Sequence, residues 1–258
     1  MTQTYDLWDF ACEHETPTMT HYIPTEKKSD WSVVIFPGGG YQHRAVHEGK
    51  GYAEFLNAHG VQAFVVEYRV APSYFPVPLA DARRAVRMVR YFAKEWGVCA
   101  DKIAVMGSSA GGHLAALVSN YTQPLENEVH DAIDEEAYRP NAQILCYPVI
   151  SLLPDFGHIG SGKNLLGERY EELGGALSVQ NLVTPQTPPA FVWHTFTDNG
   201  VPVTNSLEYV KALKAAGVSA ELHVFPMGGH GLGLADQDPE TAHVAQWSGL
   251  LLNWLKTL

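Results

Sequence analysis

The chain has 258 residues, 46% of them hydrophobic and 17% charged, the make-up of an ordinary folded protein with ample core material. Its formal net charge is −11 and no basic stripe stands out, which argues against a nucleic-acid or anionic-membrane surface. The three cysteines, Cys12, Cys99 and Cys146, are too few and too widely spaced for a disulfide framework or a zinc ligand set, so a reducing, cytoplasmic setting is expected and no metal or organic cofactor is called for.

The opening MTQTYDLWDFACEHE has no basic region followed by an apolar core, as a signal peptide would, and no apolar run is long enough to span a bilayer. WSVVIFP (31–37) is β-rich and ends at a glycine cluster. EGKGYAEFLNAHG (48–60) has helical periodicity and a glycine stop, VQAFVVEY (61–68) reads as a buried strand, and PLADARRAVRMVRYFAKEWG (78–97) reads as an amphipathic helix. The strand KIAVMG, the helix AGGHLAALVSNY and the strand AQILCYPVI (142–150) follow. Beyond an irregular stretch come the strand AFVWHTF (190–196), the helix VTNSLEYVKALKAAG (203–217), the strand AELHVFP (220–226) and a last helix near 240–257. Such alternation predicts one α/β domain over 1–258 with a mostly parallel central sheet and helices on both faces. Its active residues belong in loops beyond the carboxyl ends of strands. Two long irregular stretches, 122–140 and 151–188, are expected to form a small lid there, with a solvated acidic insertion as the alternative for the first.

GSSAG (107–111) fits G-x-S-x-G with Ser109 at its centre, and the strand before it and helix after it are the context that gives this short pattern meaning. A serine on so sharp a turn needs small neighbours, which Gly107 and Gly111 supply, and the following helix N-terminus offers unpaired N–H groups to an anion. A serine hydroxyl is a weak nucleophile without a base. Among 12 histidines, His230 in FPMGGHGLG has the right place, a glycine-flanked loop after the last strand. His113 falls on the nucleophile helix and is expected to pack or cap. His43 and His47 follow the first glycine cluster, His223 lies in a strand and His243 on the last helix. The imidazole needs a carboxylate to fix its tautomer. Asp198, in the turn-like DNG just after the strand 190–196, is preferred to Asp155, which follows the preceding strand. FPGGGY (36–41) places three glycines at a strand end, where backbone N–H groups can turn toward a developing oxyanion; the second donor would be the N–H of Ala110. The loop lacks the spacing of a phosphate-binding loop.

These four parts, in the chain order serine, aspartate, histidine, resemble a serine hydrolase of the α/β-hydrolase superfamily. More narrowly, FPGGGY, YRVAP, PLADARRAVRMVR, VMGSSAGGHLAA, TPPAFVWHTFTDNGVPVTNSLEYVKALKAAGV and HVFPMGGHGLGLA, spread over residues 30–255, resemble the acetyl esterase and acetylxylan esterase-like (BD-FAE-like) group. The resemblance implies Ser109 as nucleophile, His230 as base, Asp198 as acid, and Gly39, Gly40 and Ala110 as oxyanion donors. It also implies a small-molecule ester substrate, an acetylated sugar or xylo-oligosaccharide. Two departures stand out. Related lipase-type esterases carry histidine where this chain has Pro37 before its glycines, and GSSAGG differs from the GDSAGG of the hormone-sensitive-lipase-like branch. Relatives of the group are often homodimers, though no interface signature is visible in this chain. Tyr41, His43, Phe156 and His158 are expected to line the substrate pocket from their loop positions. The alternatives are an arylformamidase-like amidase with the same residues and a hydrolase-fold binding protein without catalysis.

Overall fold

In the stretch Ser32–Phe36, Val33 and Ile35 enter one hydrophobic core while Val34 and Phe36 enter another. That period of two, with every residue buried, marks a central strand covered on both faces. The computed structural model describes residues 1–125 and 131–258. In chain order its elements are β1 (Thr2–Asp6), β2 (Thr18–Tyr22), β3 (Ser32–Phe36), α1 (Val46–Ala58), β4 (Gln62–Glu67), α2 (Val77–Tyr91), α3 (Ala93–Trp96), β5 (Ile103–Ser108) and α4 (Ser109–Asn120). There follow β6 (Ala142–Cys146), α5 (Ile159–Leu166), α6 (Tyr170–Leu173), β7 (Ala190–Thr195), α7 (Thr204–Ala215), β8 (Ala220–Phe225) and α8 (Trp247–Leu255).

The strands form one eight-stranded sheet in the order β1-β2-β4-β3-β5-β6-β7-β8. From β4 onward every pairing is parallel, whereas β1 and β2 add antiparallel partners at one edge. On one face, Tyr52, Ala53 and Leu56 of α1 and Trp247, Leu251 and Trp254 of α8 pack against the sheet. The other face is covered by α2, α4 and α7, through residues such as Leu79, Val86, Leu114, Leu117 and Tyr209. Each such aliphatic or aromatic side chain taken out of water contributes about 1.5–3 kcal/mol, which is what makes the two-faced arrangement hold.

The mostly parallel sheet expected from the alternation is present, and six details differ. The strands β1 and β2 are short, the first mostly exposed and the second partly buried, so they carry little apolar signal. The strand expected over 142–150 stops at Cys146, because Tyr147 takes a left-handed φ of 36° and turns the chain. The stretch 151–188 contains α5, α6 and two short 3-10 turns, and the last helix begins at Trp247 rather than near 240. Of the expected lid segment 122–140, residues 126–130 lie outside the described residues, and 131–139 is tied to α2: Asp131 pairs with Arg84 at 2.6 Å and the Glu136 carbonyl accepts from Arg87 at 2.9 Å. The amphipathic reading of α2 therefore needs amending, since Arg83, Arg84 and Arg87 are buried under this segment.

Candidate active site

The carboxyl ends of β3, β5, β7 and β8 bring four loops to one end of the sheet. Between β5 and α4 there is no intervening residue: Ser108 is the last of the strand and Ser109 the first of the helix. The turn is made possible by Gly107 and Gly111: a Cβ on Gly107 would lie 2.1 Å from the Gly111 carbonyl oxygen, and one on Gly111 would lie 2.0 Å from the Phe36 carbonyl oxygen. Ser109 itself sits at φ 53°, a costly conformation for a residue with a side chain, and stays 7% exposed.

Ser109 Oγ lies 2.8 Å from His230 Nε2, and His230 Nδ1 lies 2.7 Å from Asp198 Oδ2. A carboxylate only accepts, so Nδ1 carries the proton and Nε2 is left to accept from the serine hydroxyl. Asp198 Oδ1 accepts the Gly200 and Val201 amides at 2.8 and 2.9 Å. The second oxygen has a further neighbour that the sequence reading passed over: buried His194, whose Nε2 is 3.3 Å away. His194 shares its Nε2–H between the Val201 carbonyl at 2.9 Å and Asp198 Oδ2, and pairs Nδ1 with Ser206 Oγ at 2.8 Å, so its ring is locked. Burial alone would raise the pKa of Asp198, but hydrogen bonds from His194, His230 and the Val201 amide outweigh it and hold the carboxyl well below the usual range. The rival acid, Asp155, is exposed and accepts the amide of its own neighbour Phe156 at 2.9 Å.

At the end of β3, Gly39 has φ 129° and a Cβ there would meet the His43 carbonyl oxygen at 2.2 Å, so only glycine fits. The Gly38 amide is taken up by Glu48 Oε2 at 2.8 Å, leaving the following amides, Gly39 and Gly40, as the loop donors to consider. Ala110 contributes a first-turn amide of α4, which has no carbonyl partner within its helix. Asn164 of α5 donates to the Gly40 carbonyl at 2.8 Å and so ties the 151–188 stretch to this loop.

The expected pocket residues divide. Tyr41 is fully buried, and its hydroxyl lies 2.8 Å from His113 Nδ1, so it supports the loop from the core instead of facing a substrate. His113 in turn donates Nε2–H to the Leu177 carbonyl at 2.9 Å, and burial pushes its pKa down to about 4. His43 is exposed beside Gly39 and Phe156 is half-buried. His158 caps α5, with Nδ1 accepting the Ser161 amide at 3.1 Å, so its proton sits on Nε2. Burial, then the charge of nearby His230, lowers its pKa, which places its ring within electrostatic reach of the candidate base. Among the described residues no group of three or more His, Cys, Asp or Glu side chains is arranged to hold a metal ion, and no helix is long and apolar enough to cross a membrane.

A parallel sheet with a serine elbow, a histidine after its last strand and a glycine loop after an inner one defines an α/β hydrolase. The BD-FAE family model matches residues 19–213, and the chain belongs to that family. It is 36% identical over 246 residues to an acetylxylan esterase of Xylanibacter ruminicola, covering 93% of this chain and 48% of that protein. It is 33% identical over 240 residues to endo-1,4-beta-xylanase B of Butyrivibrio fibrisolvens, covering 90% of this chain and 36% of that one. The chain thus spans about half or less of the length of these curated relatives. A crystal structure of an acetyl ester-xyloside bifunctional hydrolase from Caldicellulosiruptor lactoaceticus superimposes with a TM-score of 0.91 at 43% identity, over 99% of this chain and 96% of that one.

Proposed function

We propose that this protein is a serine carboxylesterase that removes small acyl groups, above all acetyl groups, from sugars or xylo-oligosaccharides. The observation that carries the reading is the hydrogen-bonded series Ser109, His230, Asp198, at 2.8 and 2.7 Å, beside a glycine loop at the same end of the sheet. The ester carbonyl enters above Ser109. His230 Nε2 takes the serine proton as Oγ attacks, and Asp198, held ionised by its donors, stabilises the imidazolium that forms. The Gly39, Gly40 and Ala110 amides receive the oxyanion. His230 then returns the proton to the leaving sugar oxygen, and water repeats the attack on the acyl-enzyme. The sugar acetate class is supported by the names of the acetylxylan esterase and acetyl ester-xyloside hydrolase relatives. His158, with Nε2–H as its only remaining donor, is suited to hold a sugar hydroxyl beside the base. The free thiols of Cys12, Cys99 and Cys146 support a cytoplasmic site of action.

The test is hydrolysis of p-nitrophenyl acetate, butyrate and octanoate, with acetate release from acetylated xylo-oligosaccharides measured alongside. We expect acetate to be preferred, sugar acetates to be cleaved, and Ser109→Ala to lower kcat by at least about 10⁴-fold. Activity that survives the serine substitution would overturn the mechanism. A wild type active on aryl formamides and inert to all the esters would transfer the same residues to amide hydrolysis.

A further inference from the structure

The glycine loop, the serine elbow and the histidine loop are separate stretches of chain, and one buried acid lies between them. Glu48, in the first turn of α1, is 3% exposed. Its Oε2 accepts the Gly38 amide at 2.8 Å, and its Oε1 accepts the Tyr147 hydroxyl at 2.7 Å. The Tyr147 oxygen itself accepts the amide of Gly233, three residues beyond His230, at 2.9 Å. The Tyr147 ring stands edge-on to the His230 imidazole, with 5.2 Å between centroids. Tyr52 completes the set, its oxygen 3.1 Å from that of Tyr147 and 2.8 Å from Oγ of Ser108, the residue before the nucleophile. The hydroxyls of Ser108, Tyr52 and Tyr147 can each donate to the next, so the chain ends on the carboxylate. Burial, and then the charge of Glu48, push the Tyr147 phenol well above its usual pKa and keep it a donor. The neighbouring His47 adds a second tie, donating Nε2–H to the Gly231 carbonyl at 2.9 Å.

Burying a carboxylate is costly, and an apolar side chain would fill the same space without that cost. One donor that compensates Glu48 comes from the glycine loop, and the other, Tyr147, is itself held by the Gly233 amide of the histidine loop. By taking up the Gly38 amide, Glu48 fixes the peptide that precedes the two loop donors. Through Tyr147 it fixes the Gly233 amide, three residues beyond the base. We propose that Glu48 is a positioning residue that holds the glycine loop and the histidine loop in register about Ser109. This rests on the serine-hydrolase reading above.

The test compares Glu48→Gln, Glu48→Ala and Tyr147→Phe. A p-nitrophenyl phosphonate ester is used to titrate reactive serines, and kcat and KM for p-nitrophenyl acetate are taken per titrated site. Glu48→Gln is expected to lower kcat per site by at least about tenfold and Glu48→Ala by about 10²-fold, with KM within about threefold, because a misplaced oxyanion donor weakens the transition state more than the bound ester. Tyr147→Phe, which leaves the Gly38 bond in place, is expected to cost less. A folded Glu48→Gln protein whose kcat per titrated site is unchanged overturns the proposal, whatever happens to its melting temperature. If Glu48→Ala does not fold, the other two variants decide. Ser109→Ala is run in parallel: activity surviving there overturns the hydrolase reading and this one with it, whereas its loss there with unchanged turnover in Glu48→Gln overturns the positioning role alone.

Discussion

Asp198 and Asp81 are both buried carboxylates saturated with donors, and the difference between them lies in the partner. Asp81, on α2, is wholly buried and accepts Arg69 Nη2 at 2.6 Å and Nε at 2.9 Å, with the indole N–H of Trp8 at 2.7 Å. An arginine is always charged and cannot relay a proton, so this cluster serves to fasten the strand β4 exit to the helix. Asp198 is paired with a histidine, which can take a proton and give it back. Similar acid, similar burial: one cluster is fixed and the other can cycle. The arginine side of the molecule should therefore govern stability, and the histidine side turnover.

The largest effect that could break this division is Asp198→Asn. It should lower kcat for p-nitrophenyl acetate by about 10⁴-fold while circular dichroism still shows a folded protein, because the amide no longer enforces the tautomer of His230. A loss of folding with normal turnover per titrated site would erase the distinction. Asp81→Asn should do the reverse, costing about 3–5 kcal/mol in urea unfolding by leaving the Arg69 charge uncompensated, with kcat per titrated site unchanged.

Acid sharpens the comparison by isolating a histidine that must stay neutral. His113 is fully buried, with a pKa of about 4 in the folded state. Below about pH 6.5 the unfolded chain binds a proton that the folded protein refuses, so stability complete at pH 7 should fall by about 3 kcal/mol as the pH reaches 4. Urea midpoints across that range should show the slope, and His113→Asn should flatten it. The smallest effect belongs to Asp131, whose carboxyl is pulled down to about 2 by its hydrogen bonds from Arg84. Its contribution is present above about pH 4 and is lost as the pH falls through 2; a third of it is exposed to solvent, so Asp131→Asn should cost only about 1 kcal/mol at pH 7.

What could be read from the chain alone follows the same division. The alternation of apolar runs and the glycine-flanked serine are local signals, so the parallel sheet and the elbow were legible, as were the loops that bring Ser109, Asp198 and His230 together. Glu48 was not, because a glutamate in the first turn of a helix reads as a solvated end favoured by the helix dipole. Its partner Tyr147 is far away in sequence, and the nearer one, Gly38, offers only a backbone amide. His194 was hidden inside a strand whose other residues are core. Tyr41 was misplaced because its position after three glycines suggested an open loop, whereas a φ of 58° turns the side chain inward to His113. The strands β1 and β2 escaped because the first is mostly exposed and the second buries only alternate residues.

The left-handed backbone at Ser109 bears on how this protein could change over evolutionary time. A conformation with φ of 53° crowds a branched Cβ, so threonine is a poor replacement there despite its hydroxyl. Cysteine has the same unbranched Cβ as serine and can occupy the elbow without further strain. The nearest new chemistry open to this scaffold by a single replacement at Ser109 is therefore that of a thiol.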